Sequence, residues 1–202
     1  LYITNSLTRQ KERFTPIKPN CVSLYVCGVT VYDYCHVGHA RAYVAFDTIR
    51  RVLEHFNYTV THIQNFTDID DKIIARSQEQ RVSCNELTQT YIDAYFEDMD
   101  RLFIQRAHQY PKATDYISQM HTLIQQLLDH GAAYVVDNSV YFSIHAYPQY
   151  GQLSNKVIAD LIAGQRIHVE DQKQNPLDFI LWKPAKPGEP VWDSPWGPGR
   201  PG

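Results

Sequence analysis

The chain has 202 residues, a length that suits one domain or one domain with an insertion. Its net charge of −3 at pH 7 does not indicate a nucleic-acid partner, so any RNA-binding surface must be local. The absence of a signal-peptide pattern and of an apolar run long enough for a bilayer, together with only four cysteines, predicts a soluble protein of a reducing compartment, with no membrane partner.

The first third of the chain alternates strand and helix patterns. Residues 1–14 predict a short strand and a basic turn, and the apolar run 22–29 predicts a buried strand. Residues 58–66 predict a second strand, which a helical crossover makes parallel to the first. The helix between them is predicted to bury one apolar face: Ala42, Ala45, Phe46, Ile49, Val52 and Leu53.

The next segments carry helix-boundary signals. Asp68 and Asp70 are candidate caps for a helix that begins near residue 70. Ser83 with Glu86 fits a capping box that opens another helix. That helix is predicted to bury a stripe of apolar side chains: Ile92, Tyr95, Phe96, Met99 and Phe103.

The second half of the chain mixes helix and strand signals. Thr114 is predicted to cap a further helix, and Gly131 is placed to end it. Residues 134–143 predict a β-hairpin, and residues 156–163 predict a short helix. Residues 179–182 predict a strand that returns to the parallel sheet.

The candidate site lies where the first strand gives way to the first helix, at His36, Gly38 and His39. Open α/β sheets bind ligands in this crevice, and a helix N-terminus attracts anions. Two imidazoles three residues apart can donate hydrogen bonds to phosphate oxygens, and Gly38 leaves room for a close approach. Two other interpretations remain open: the histidines only cap the helix, or they bind a metal with Cys35.

Several motifs, in order, resemble those of the cysteinyl-tRNA synthetases, which are class I aminoacyl-tRNA synthetases. The tetrapeptide HVGH at residues 36–39 resembles the family's HIGH signature. The other matching segments are NSLTRQKERFTP at 5–16, YVCGVTVYD at 25–33, NFTDIDDKI at 65–73, NPLDFILWK at 175–183 and SPWGPGRPG at 194–202.

This resemblance implies an α/β fold, the Rossmann-like parallel sheet of a class I synthetase catalytic domain, with an α+β connective-peptide insertion. Residues 1–110 would form the first half of the nucleotide-binding catalytic domain. Residues 111–175 would form the insertion, and residues 176–202 would return to the catalytic domain and stop before completing it.

The resemblance also implies an activity. A cytoplasmic monomer would activate L-cysteine with ATP and Mg²⁺ to cysteinyl-adenylate and transfer it to tRNA(Cys). His36 and His39 would be the catalytic residues. ATP would be bound by Thr30, His36, Gly38 and His39.

On the amino-acid side, the resemblance assigns Gly28 and Thr67 to the substrate cysteine and Cys27 to a zinc ion. The zinc ion would bind the substrate thiol and so reject serine, because a soft thiolate is the better zinc ligand. The other zinc ligands, a Cys, a His and a Glu, and the KMSKS signature are expected beyond Gly202.

Two alternatives to this function remain open. A cysteine–amino-sugar ligase of mycothiol synthesis shares the cysteine and the histidine motif. A catalytically inert nucleotide-binding module is expected if the chain truly ends at Gly202. At a single residue, Lys72, the choice is between a phosphate contact and an ion pair with neighbouring acidic residues.

Overall fold

The computed structural model describes residues 1–155 and 173–202, so the helix predicted at 156–163 lies outside the described residues. The described residues form two compact units, Thr15–Tyr116 and Leu1–Phe14 with Ile117–Gly202. None of the described helices is long and apolar enough to cross a membrane. In chain order the elements are β1 (Tyr2–Thr4), β2 (Lys11–Arg13), β3 (Cys21–Val26), α1 (Val37–His55), β4 (Thr59–Gln64), α2 (Asp71–Gln80), α3 (Cys84–Arg101), α4 (Ile117–Asp129), β5 (Ala133–Val136), β6 (Ser139–Phe142), β7 (Phe179–Pro184) and β8 (Gly199–Pro201).

The unit Thr15–Tyr116 is built on a parallel β-α-β crossover, as the sequence predicts. β3 pairs with β4 in parallel over six residues each, and α1 connects the two strands. The parallel pairing resumes after β3, where Thr30 lies beside Thr67. Residues 108–112 run along β4, since His108 N–H donates to His62 O and Phe66 N–H to Pro111 O. The unit is therefore Rossmann-like α/β.

The apolar face predicted for α1 is confirmed at Leu53 and wrong at its exposed members. The buried residues of α1 are Tyr43, Arg50 and Leu53, whereas Ile49 and Val52 are exposed. Arg50 can be buried because its guanidinium donates to Glu54 and to the backbone oxygen of Arg106. A search for apolar residues cannot detect a buried arginine whose guanidinium is hydrogen-bonded within the protein. The apolar pattern therefore predicted a neighbouring face of the same helix.

The helix α3 supplies five of the eleven buried residues in the core cluster of this unit. The capping box of Ser83 and Glu86 is confirmed, and Tyr95 and Met99 are buried as predicted. Phe103 is 86% exposed, because α3 ends at Arg101 and Phe103 has a left-handed φ of 57°. The core cluster comprises Val26, Val29, Val31, Tyr43, Phe66, Ile73, Leu87, Tyr91, Ile92, Tyr95 and Met99.

Two of the predicted caps bind elsewhere. Asp70 caps α2 by accepting from Lys72 N–H at 2.8 Å, as predicted. Asp68 instead accepts from the backbone N–H and the hydroxyl of Thr114, at 3.0 and 2.5 Å. Thr114 lies inside a 3₁₀ helix, Ala113–Tyr116, and is not the cap of α4. The Asp68–Thr114 contact joins positions 46 residues apart and cannot be read from local sequence.

The second unit contains the predicted hairpin. Gly131, at φ 68°, follows the end of α4 and donates its N–H to Leu128 O, which confirms its place. β5 and β6 pair antiparallel through a two-residue turn in which Asp137 and Asn138 both have positive φ, the geometry of a type I′ turn. The apolar side chains of this unit's core are Ile124, Ala133, Val140 and Trp182.

The strand predicted at 179–182 forms, but its predicted pairing is wrong. β7 lies antiparallel between β6 and β8 in a four-stranded sheet of order β5-β6-β7-β8. Trp182, on β7, is fully buried and lies opposite Val140, so the hairpin provides the edge that β7 completes. Strand propensity identifies the segment, whereas its partner depends on which sheet edge is available. The division of the chain at residues 110 and 175 stays a prediction.

Candidate functional site

The site begins where β3 ends, at a close approach between Gly28 and Asn65. A Cβ on Gly28 would lie 1.5 Å from the backbone oxygen of Asn65, so only glycine fits this position. The side-chain oxygen of Asn65 accepts from Gly28 N–H and from the Tyr25 hydroxyl, both at 2.9 Å. Asn65 therefore fixes the end of β3 against the chain that leaves β4. Sequence reasoning missed this residue, because its role depends on the pairing of the two strands.

The chain then enters α1 through a reciprocal cap made by the two predicted histidines. His36 is the N-cap, and its Nδ1 accepts from Gly38 N–H at 3.0 Å. His39 Nδ1 in turn accepts from His36 N–H at 3.1 Å. The two rings lie side by side, with centroids 4.0 Å apart. The histidines cap the helix, which was one of the alternatives, and the cap also fixes both rings.

This cap determines which ring nitrogens remain for a ligand. A neutral imidazole that accepts at Nδ1 carries its hydrogen on Nε2, so both Nε2 atoms are donors in that form. Burial and the neighbouring His36 lower the pKa of His39, which favours the neutral ring at neutral pH. In the neutral form the pair thus offers two adjacent hydrogen-bond donors.

Gly38 serves the histidine pair directly. A Cβ at this position would lie 2.8 Å from Cε1 and 2.9 Å from Nδ1 of His36. The missing side chain therefore makes room for the His36 ring. The expected role of Gly38 in binding ATP stays a prediction.

Both histidines line a cavity of about 390 Å³ within the unit Thr15–Tyr116. The cavity opens at the carboxyl ends of the parallel strands, where α/β sheets bind ligands. It brings together four of the predicted positions, Gly28, Thr30 and the two histidines. The lining residues are Gly28, Val29, Thr30, Tyr32, Asp33, Tyr34, Cys35, His36, His39 and Lys72.

The remaining predicted residues lie at or near this crevice. Thr67 exchanges backbone hydrogen bonds with Val29 and Val31, which places it beside the cavity wall. Cys27 is exposed, and it does not line the cavity. Burial raises the pKa of the Cys35 thiol to about 11. Within residues 1–155 and 173–202 no three His, Cys, Asp or Glu side chains are placed to hold a metal ion.

A comparison with protein families bears on this site. The family model described as tRNA synthetases class I (C) catalytic domain matches residues 13–202. The chain belongs to this family. The cavity with the histidine pair therefore lies in a class I synthetase catalytic domain.

Relatives of the family cover the whole chain. It is 54% identical to "Cysteine--tRNA ligase" of Tolumonas auensis and 51% identical to that of Desulfovibrio desulfuricans, in both cases over 100% of the chain. It is 52% identical to the protein of the same name from Methanococcus maripaludis. These alignments cover 44%, 42% and 42% of the relatives, so the chain spans about two fifths of their length.

Solved structures show the same fold at lower identity. A leucyl-tRNA synthetase complex from Agrobacterium radiobacter superposes with a TM-score of 0.52 at 22% identity, over 63% of this chain and 17% of that one. The methionyl-tRNA synthetase of Mycobacterium tuberculosis superposes with a TM-score of 0.51 at 22% identity, over 61% of this chain and 25% of that one. These similarities support the Rossmann-like class I synthetase fold and nothing finer.

Proposed function

We propose that the protein carrying this chain activates L-cysteine with Mg²⁺-ATP and transfers the cysteinyl group to tRNA(Cys). The observation that carries the proposal is the histidine pair, which is held by its reciprocal cap and lines a cavity at the carboxyl ends of β3 and β4. The relatives named "Cysteine--tRNA ligase" support the choice of amino acid and tRNA. The cytoplasmic location and the monomeric state remain predictions.

The chemistry would be an in-line displacement at phosphorus. The carboxylate oxygen of cysteine forms a bond to the α-phosphorus, and the bond from that phosphorus to the bridging oxygen breaks to release pyrophosphate. His36 and His39 would donate hydrogen bonds to phosphate oxygens, whose charge increases in the transition state. The cap prepares this arrangement, because both rings are held before the nucleotide arrives.

The predicted zinc site is a separate matter. Cys27 offers one thiol, and the described residues supply no group of three ligands with it, so by themselves they do not fit a zinc ion. Zinc at Cys27, with further ligands after Gly202, stays a prediction. The contacts of Gly28 and Thr67 with the amino acid are proposed on their position at the crevice.

The test is cysteine-dependent exchange of labelled pyrophosphate into ATP, followed by charging of tRNA(Cys), with the protein as its host makes it. We expect exchange with L-cysteine and none with L-serine, and attachment to tRNA in preference to an amino sugar. Absence of exchange would contradict the proposal and favour an inert nucleotide-binding module. Attachment to the amino sugar alone would favour the ligase alternative.

One variant separates chemistry from capping. Asparagine is a strong N-cap that lacks an Nε2 donor, so His36→Asn should retain the stability of the protein. Its kcat for exchange should fall about 100-fold, the size expected for loss of one preorganised donor. His55→Asn, at the exposed far end of α1, is the matched control and should leave exchange unchanged. Wild-type kcat in His36→Asn would contradict the proposed role.

A further inference from the structure

We propose that Lys72 binds the phosphate chain of the nucleotide in the cavity of His36 and His39. The inference rests on the proposed function and adds to it a residue that the HVGH motif does not contain. Lys72 lies 33 residues after His39 in the chain, yet both side chains line the same cavity.

The position of Lys72 is fixed by the start of α2. Asp70 caps that helix by accepting from Lys72 N–H at 2.8 Å, so Lys72 lies in the first turn. Its ammonium lies over the ring of Tyr32, 5.4 Å from the centroid, within the range of a cation–π contact. Tyr32 itself lines the cavity, so this contact holds the cation at the cavity wall.

The charges of the cavity leave this cation available. Of the ten lining residues, all within the described part of the chain, Lys72 is the only lysine or arginine and Asp33 is the only carboxylate. The Asp33 carboxylate is paired with another cation, since its Oδ2 lies 3.9 Å from Nη2 of Arg76. A triphosphate carries several negative charges, and two neutral imidazoles cannot balance them. Lys72 supplies the charge that the histidine pair lacks.

The alternative role, an ion pair with neighbouring acidic residues, does not form within residues 1–155 and 173–202. No carboxylate among the described residues lies within 4.0 Å of the Lys72 ammonium, although Asp70 and Asp71 precede it directly in sequence. Its contact in the folded chain is an aromatic face at the cavity wall. A lysine held in this way can still donate three hydrogen bonds to phosphate oxygens.

The test compares binding of ATP with binding of adenosine by Lys72→Met in the complete protein. We expect the Kd for ATP to rise about tenfold, the loss of one charge-assisted contact, and the Kd for adenosine to stay within twofold. Lys72→Arg should recover most of the ATP affinity. Lys18→Met, which removes an exposed lysine outside the cavity, is the control and should match wild type.

Salt provides a second readout that a structural role would not change. The Kd of wild type for ATP should rise with KCl, and that of Lys72→Met should rise less steeply. An unchanged ratio of ATP to adenosine affinity in Lys72→Met would overturn the inference, as would an equal weakening of both ligands. Wild-type binding of ATP without cysteine-dependent exchange would refute the proposed function alone, and wild type that does not bind ATP would refute both.

Discussion

The close approach of Gly28 and Asn65 predicts that Gly28→Ala is strongly destabilising. The added Cβ would lie 1.5 Å from the Asn65 backbone oxygen. This is about 2 Å short of an ordinary contact of roughly 3.5 Å. Because the obstructing atom belongs to the backbone, no side-chain rotation relieves the clash, and the ends of β3 and β4 must separate.

The size of the effect follows from two contributions. Overpacking costs roughly 1–3 kcal/mol. Loss of the hydrogen bond from Gly28 N–H to the Asn65 side chain adds about 1 kcal/mol. We therefore expect the free energy of unfolding to fall by about 2–4 kcal/mol. Urea unfolding followed by circular dichroism measures this difference, when both proteins are fitted with the same dependence of unfolding free energy on urea concentration.

Gly131→Ala is the matched control. Its added Cβ meets no atom within 4 Å, and only the left-handed φ of 68° opposes it. The expected loss is about 1 kcal/mol. If Gly28→Ala lost no more stability than Gly131→Ala, the contact between Gly28 and Asn65 would not be what holds the two strand ends together.

Three further predictions concern the histidines and a buried ion pair. Gly38→Ala should displace the His36 ring and lower the rate of pyrophosphate exchange. Its free energy of unfolding should stay within about 1 kcal/mol of wild type, because the gain in helix propensity offsets the weakened cap. Exchange at the wild-type rate would contradict this prediction. His62 is buried, and neither ring nitrogen has a partner within the described residues, so burial lowers its pKa below the usual 6.5. Below that pH the unfolded chain therefore binds more protons than the folded chain, so the free energy of unfolding should fall as the pH drops. His62→Asn should flatten this dependence of the unfolding free energy on pH by up to about 1.4 kcal/mol per pH unit. Urea titrations that give the same pH dependence for His62→Asn and wild type would refute the prediction. Arg200 pairs with Glu189 at 2.8 Å in a buried contact, so Arg200→Met should lower the free energy of unfolding by about 3–5 kcal/mol. Adding Glu189→Gln should recover part of that loss, because the carboxylate is then no longer left buried without its partner. A double variant as unstable as the single one would exclude the ion pair as the cause.

Local signals in the sequence correctly predict several helix boundaries. The capping box of Ser83, the cap at Asp70 and the end of α4 at Gly131 all occur where the residues indicate them. Each depends on hydrogen bonds or backbone angles within a few residues, so the information is contained in the local chain. The same is true of the histidine cap, for which the motif places both partners within four residues.

The buried face of α1 and the pairing of β7 were beyond local reasoning. Arg50 takes a buried position on α1 because a distant carbonyl, Arg106 O, accepts from its guanidinium. β7 has the composition of a strand in either sheet, and only the free edge of β6 determines its antiparallel partner. In both cases the deciding atoms lie far away in sequence.

The sequence by itself determined the crossover of β3, α1 and β4 and the family resemblance, and it offered the histidine cap as one of several interpretations, because periodicity, capping and motif order are properties of neighbouring residues. The tertiary structure alone decided that Asn65 fixes Gly28, that Asp68 binds Thr114 and that Lys72 shares the cavity of the histidines. These contacts join positions 33 to 46 residues apart. Chain folding, and not residue spacing, brings such positions together.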